Sequence, residues 1–151
     1  MAVNLKSMFL TCKFALPVML AGGGGAIVNV ASIAGLRWLG VPYIAYASSK
    51  GAVISFTRAV ALEYAGRGIR ANCVVPGLMD TPMVHNSLRH SYGAGGDVEK
   101  LSQARDALCP MGKMGDAWDV AHAALFLLSE EARYITATEL LVDGGVTAKI
   151  S

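Results

Sequence analysis

The chain has 151 residues, of which 54% are apolar and 16% charged, with a formal net charge of +2. That length can bury a core and that balance excludes a disordered chain, so a single domain over 1–151 is expected. The charges are scattered, which excludes the basic stripe of a nucleic-acid binder.

Over residues 2–20, Leu5, Met8, Phe9, Cys12 and Leu16 recur at helical spacing, and an amphipathic helix is predicted. Lys6 and Lys13 followed by residues 14–21 imitate a crude signal peptide, and no charge occurs from 14 to 36. Pro17, the glycines at 22–25, Asn29 and Ser32 interrupt that run, so neither export nor a membrane span is expected. Residues 26–31, AIVNVA, are short and β-branched and suit a buried parallel strand. A loop over 32–43 leads into a long helix over 44–65, with Val53, Phe56, Val60 and Tyr64 at helical intervals. Gly66 and Gly68 end it. Residues 69–75 form the next strand, closed by Pro76-Gly77.

Residues 78–115 carry His85, His90, Gly93, Gly95 and Gly96 and read as a functional loop or lid, with a short helix over 98–108. His85 and His90 read as solvated loop residues. Asp116 is placed to cap a helix over 117–128. Residues 139–142 form a last strand that turns out at Asp143-Gly144-Gly145. Strands alternating with helices predict parallel pairing through right-handed crossovers. Met8, Met19, Leu125 and Leu128 read as core or interface, and Arg67 and Arg70 as surface charges beside a helix end.

Cys12, Cys73 and Cys109 form no CxxC pair, and His85, His90 and His122 complete no ligand spacing with them. No disulfide framework or metal site is expected. Free thiols point to a reducing compartment, the cytoplasm.

In open parallel sheets, ligands sit beyond the carboxyl ends of the strands. Two such ends are chemically marked here, Asn29-Val30-Ala31-Ser32 and Val74-Val75-Pro76-Gly77. Tyr46 and Lys50 are four residues apart, which puts both on one helix face. An ammonium beside a phenol favours the phenolate, which suits acid–base work near neutral pH. Ser32 is placed to hydrogen-bond a substrate oxygen. A tyrosine and lysine at this spacing are usually only a solvated pair; the added serine and Pro-Gly make coincidence a poor account.

Asn4-Leu5-Lys6, Ile27-Val28-Asn29-Val30-Ala31-Ser32, Tyr46-Ala47-Ser48-Ser49-Lys50, Ala71-Asn72-Cys73-Val74-Val75-Pro76-Gly77 and Val142-Asp143-Gly144-Gly145 resemble successive motifs of the short-chain dehydrogenase/reductase family, in order and nearly at its spacing. The resemblance implies an α/β fold, the C-terminal half of a Rossmann-like doubly wound parallel sheet, with about three parallel strands and flanking helices. It implies an NAD(P)-dependent oxidoreductase acting on a small alcohol or carbonyl substrate, with NAD and NADP left open. Tyr46 would give or take the proton, Lys50 would assist it and bind the nicotinamide ribose, and Ser32 would orient the substrate oxygen. Asn4 would hold a water in a proton relay from Lys50. Pro76, Gly77, Met79 and Thr81 would meet the nicotinamide end, with Thr81 or the Met79 backbone on the carboxamide. The helices of Asn4 and Tyr46 resemble the family's dimer-forming pair, so a homo-oligomer is expected, with no nucleic-acid or membrane partner.

The departures are as informative. No G-x-x-x-G-x-G or G-x-G-x-x-G occurs in the 151 residues, and Gly22 to Gly25 precede a strand instead of joining a strand to a helix. The chain therefore reads as cut in mid-fold, with weak or absent cofactor binding of its own. The alternative to an enzyme is a non-catalytic fragment that acts by associating with a full-length homologue. Ser32 to Tyr46 spans fourteen residues, one more than is common in the family, so a bulged loop is expected. Ala137 stands where the family often has glycine, and a left-handed residue there would be strained.

Overall fold

A computed structural model of the chain describes residues 1–88 and 94–149. His90 and Gly93 lie outside the described residues. The chain opens with a π-helical turn, Ala2–Lys6, that runs into α1, Ser7–Ala21. Then follow β1 (Gly25–Val30), α2 (Ile44–Tyr64), β2 (Ile69–Pro76), α3 (Pro82–Leu88), α4 (Val98–Asp106), α5 (Ala117–Leu128) and β3 (Glu139–Val142). The three strands form one parallel sheet in the order β1-β2-β3. This is the α/β, Rossmann-like architecture expected from the alternation of strands and helices.

The sheet is held on both faces by β2, whose residues Ile69 to Val75 are buried apart from Arg70. A central parallel strand covered on both sides has no face to spare for polar groups. Its alternate residues Ile69, Ala71, Cys73 and Val75 pack under α2, through Val60 and Ala61 at one end and Val53 and Ile54 at the other. Cys12 and Leu16 of α1 join the first of these clusters. The opposite face receives α5, which contacts all three strands and buries Leu127. Asp116 caps α5 as expected, accepting from the amides of Trp118 and Asp119, while Asp119 accepts in return from the Asp116 amide.

Asn72 shows how a polar residue survives in this core. Its Nδ2 donates to the Ile135 carbonyl at 2.9 Å and its Oδ1 accepts from the Thr138 amide at 3.1 Å. Both bonds tie β2 to the connection that leads into β3, and they satisfy the buried amide. Arg70 corrects a sequence expectation. It is half-buried, and its guanidinium donates to the carbonyls of Leu127, Ser129 and Ile135. It thus satisfies the carbonyl end of α5, where orphan acceptors and the helix dipole both favour a cation. Arg67 does lie at the surface, over the Tyr64 ring at 4.0 Å.

The structure departs from the periodicity in two further places. The first helix begins as a π turn. An additional short helix, α3, occupies part of the segment expected to be irregular. Leu125 and Leu128 are exposed on α5, whereas Met8 and Met19 pack against the core. Ala2–Ala21 is long and apolar enough to cross a membrane by length and composition, and it rests on α2 through Cys12 and Leu16.

Candidate active site

The carboxyl ends of β1 and β2 open onto a cavity of about 580 Å³. Its wall contains Ser32, Tyr46, Lys50, Pro76, Gly77, Met79 and Thr81. Seven of the eight residues singled out from the sequence therefore meet in one place, although they come from three separate stretches of chain.

Tyr46 and Lys50 are adjacent turns of α2. The Lys50 ammonium stands 5.7 Å from the centroid of the Tyr46 ring and donates to the Val30 carbonyl at 2.8 Å. That carbonyl ends β1, so the lysine is anchored to the strand that presents Ser32. Burial lowers the Lys50 pKa, and the nearby Cys73 thiol works in the opposite direction. Tyr46 is 40% exposed and meets Tyr43 edge-on at 6.1 Å.

Ser32 is buried and caps a short turn, Ile33–Gly35, accepting from the Ala34 amide at 3.2 Å. That bond fixes Oγ and uses it as an acceptor, so its own O–H remains to donate. Gly35 sets the distance between this turn and α2. A Cβ on Gly35 would lie 2.7 Å from the Lys50 carbonyl carbon and 2.7 Å from the Gly51 nitrogen, so only glycine permits the approach. The sequence reading missed Gly35, because the contact that requires it is fifteen residues away. The loop between Ser32 and Tyr46 carries Trp38 and Gly40, both exposed.

Asn4 is the exception. It lies in the π turn, and its Nδ2 donates to Ser49 Oγ at 2.9 Å, while Ser49 donates to the Tyr46 carbonyl at 2.7 Å. It stands behind the cavity wall and grips the first turns of α2. Single π turns are rare and recur at functional sites.

At the end of β2, the Gly77 amide donates to the Val142 carbonyl at 2.8 Å. A Cβ on Gly77 would meet Cα and Cβ of Asp143, each at 2.6 Å, so the floor of the cavity again requires glycine. The Asp143 carboxylate accepts from the amides of Gly145 and Thr147 and from the Thr147 hydroxyl. Met79 bridges to Gly115 in parallel fashion. Thr81 Oγ1 is buried without a hydrogen-bond partner among the described residues. A buried orphan hydroxyl on a cavity wall is where a ligand amide fits best.

α3 and α4 lie over the cavity and pack through Val84, Ala94 and Leu101. His85 sits on α3 and pairs with Asp80 at 2.7 Å instead of standing free in a loop. Arg105 of α4 is almost fully buried and reaches the cavity. The sequence reading missed it. The available signal was its position four residues after Leu101, on the inward face of an otherwise polar helix.

Comparison with known proteins gives a consistent answer. The family model described as enoyl-(acyl carrier protein) reductase matches residues 1–147. The chain is 46% identical over 149 residues to a protein named inactive 2-(S)-hydroxypropyl-CoM dehydrogenase 2 from Xanthobacter autotrophicus, covering 98% of this chain and 62% of that protein. Its fold matches the crystal structure of a protein from Burkholderia xenovorans assigned to the short-chain dehydrogenases/reductases, with a TM-score of 0.90 and 51% identity, over 98% of this chain and 55% of the other. It also matches ElxO solved with NADP bound, with a TM-score of 0.82 and 36% identity, over 97% of this chain and 56% of the other. The chain thus spans little more than half the length of these relatives. Its motifs, its parallel sheet and these matches agree, and the chain belongs to the short-chain dehydrogenase/reductase family.

Proposed function

We propose that these 151 residues hold the acid–base and nicotinamide-end half of an NAD(P)-dependent oxidoreductase site for a small alcohol or carbonyl compound, and that by themselves they do not turn over. The observation that carries the first statement is the convergence of Ser32, Tyr46 and Lys50 on one cavity wall, opposite the orphan hydroxyl of Thr81. The second statement is supported by the absence of a glycine-rich strand–turn–helix from the sequence. Pyrophosphate binding then has to come from residues outside these 151, in the same polypeptide or in an associated full-length homologue. Taken by themselves, the 151 residues fit the alternative reading, a non-catalytic fragment that acts by association with a full-length homologue.

In the assembled site, Tyr46 Oη gives a proton to the substrate oxygen in reduction and takes it in oxidation. The Ser32 O–H donates to the same oxygen and fixes its position. Lys50 holds positive charge beside the Tyr46 ring and reaches the nicotinamide ribose. Pro76, Gly77 and Met79 form the floor under the nicotinamide, and the Thr81 hydroxyl or the Met79 backbone meets the carboxamide. A bound nicotinamide, from NAD or NADP, supplies or accepts the hydride. Asn4 steadies Ser49 and, through it, the turn that carries Tyr46 and Lys50, beside the water relay that the family resemblance assigns to it. The lid over 78–115 shapes the substrate. The chain works in the cytoplasm and associates through α1 and α2.

Two measurements test this. Titration of the purified chain with NADH and NADPH, followed by fluorescence, is expected to show weak or absent binding; tight binding of either one overturns the non-catalytic reading. In a complete enzyme containing this segment, Tyr46→Phe is expected to lower kcat by ~10²–10⁴-fold with the fold unchanged. Retained activity removes Tyr46 from the mechanism.

A further inference from the structure

Asn29 is a polar interruption in the apolar strand β1. Ile27 before it and Ala31 after it, on the same face, pack under α2. Asn29 Nδ2 donates instead to Thr57 Oγ1 of that helix, at 2.9 Å. Thr57 is 2% exposed, and its hydroxyl donates to the Val53 carbonyl at 2.8 Å. Cys73, which pairs with Asn29 across the two strands, hydrogen-bonds the same hydroxyl. One buried hydroxyl thus ties β1, β2 and α2 together.

The next residue of β1 is Val30, whose carbonyl accepts from Lys50 Nζ. Adjacent strand residues therefore hold α2 at Thr57 and at Lys50, about two helical turns apart. Val53, Ile54, Val60 and Ala61 make apolar contacts between α2 and the sheet. Apolar packing is non-directional and lets a helix slide, whereas a hydrogen bond fixes both distance and angle.

We infer that the Asn29–Thr57 hydrogen bond is a positioning clamp that sets α2 against β1, so that the Lys50 ammonium meets the Val30 carbonyl beside Tyr46. Neither Asn29 nor Thr57 belongs to the cavity wall, so both are positioning residues that act through Lys50 and Tyr46. The inference rests on the reading of Tyr46 and Lys50 as the proton-transferring pair.

Lys50 is faced by Tyr46 from its own helix and by the Cys73 thiol from β2. Arg58 and Glu139 stand behind Cys73, and Arg105 of α4 shares the cavity wall. Burial holds the Lys50 pKa below the ordinary lysine value, and an ionised Cys73 works against it.

The test follows the Lys50 Cε resonance of the full 151-residue chain by carbon NMR against pH, with Lys50→Arg assigning the resonance. Thr57→Val keeps the shape of the side chain without its hydroxyl. α2 is then able to shift, the ammonium regains water, and the Lys50 midpoint is expected to rise toward the ordinary value of about 10.4. Asn29→Leu is expected to move it the same way, and it carries the test where circular dichroism shows that Thr57→Val does not fold. Thr57→Ser, which keeps the hydroxyl, is expected to leave the midpoint where it was. In a Cys73→Ala background, which removes the competing thiolate, the rise caused by Thr57→Val is expected to persist. An unchanged midpoint in Thr57→Val and Asn29→Leu, a Thr57→Ser midpoint displaced as far as that of Thr57→Val, or failure of both Thr57→Val and Asn29→Leu to fold overturns the inference and leaves the bond a structural role only. In a complete enzyme containing this segment, Thr57→Val is expected to lower kcat about tenfold or more, because a misplacement of ~1 Å can cost ~10²-fold. Its pH profile is expected to move to the alkaline side. If the Lys50 midpoint moves in the chain and that profile does not, the clamp stands and the reading of Lys50 as the partner of Tyr46 fails.

Discussion

Ala137 has a backbone φ of 60°, the left-handed region, and among the described residues no other non-glycine shares it. Its Cβ crowds the carbonyl that follows, at a cost of roughly 1–2 kcal/mol. The conformation is imposed from outside: the Ala137 amide donates to the Ala71 carbonyl at 2.9 Å, and Thr136 Oγ1 accepts from the Ala71 amide at 3.1 Å. Ala137→Gly relieves the strain but loses part of a methyl contact with the core and frees the unfolded chain. The net expectation is a stabilisation of about 0.5 kcal/mol, less than the full strain for those two reasons. A higher midpoint in urea with an unchanged slope is the expected reading; a lower midpoint shows that the methyl outweighs the strain. Strain at this residue was expected from the resemblance to a family that often has glycine there, whereas Ser32, Tyr46 and Lys50 were legible from local geometry: a strand end, and two positions one helical turn apart. Gly35 and Arg105 were not. Their meaning comes from contacts between segments distant in sequence, which no local spacing encodes.

The turn that follows β3 shows how one element fastens a site. Burial alone raises the Asp143 pKa, but the hydroxyl and amide of Thr147, the amide of Gly145 and the charge of Arg37 outweigh it, and the net shift is downward. Because the folded-state pKa is depressed, the carboxylate stabilises the fold above the unfolded value of about 3.9. That contribution is lost as pH falls through the depressed folded value. The chain is therefore expected to lose stability in acid more steeply than Asp143→Asn, whose side chain does not titrate. Parallel slopes for the two in denaturant titrations from pH 5 to 2 show that the turn contributes nothing. The consequence reaches the cavity, because Asp143 is the residue against which Gly77 packs. Long elements were legible at this scale: α2, β2, α5 and β3 lie within a residue or two of their expected bounds. The short α3 and the π turn were not, since neither is long enough to show a period. Arg70 was misread for a related reason. Its place after a helix end suggested solvent, but the same position in β2 faces the carbonyl end of α5.

At the scale of the whole molecule, the surfaces that remain uncovered are apolar. Phe14 and Val18 of α1 are 69% and 72% exposed, and Leu62 of α2 is 68% exposed. A groove of about 380 Å³ runs between the two helices over Cys12, Leu16 and Val60. Exposed large side chains grouped on adjoining helices mark an interaction surface; α2 carries Tyr46 and Lys50, and Asn4 lies in the π turn that runs into α1. The outer edge of β1 has no partner strand among the described residues, and an open edge invites pairing with another chain. Both features support the proposed association, and they separate by mutation. Sedimentation of the chain is expected to show species heavier than 15.8 kDa. Phe14→Asp combined with Val18→Asp puts two charges on the helical face and is expected to shift the mass toward the monomer if α1 and α2 form the contact. If the mass does not change, pairing through the β1 edge is the remaining route, and the helices of the catalytic residues are not the interface. A full-length homologue mixed with the chain is expected to form a mixed complex that the same double substitution weakens. The cavity of Ser32, Tyr46 and Lys50 then gains a partner, and the reading of the chain as a part that acts by association stands or falls on that complex.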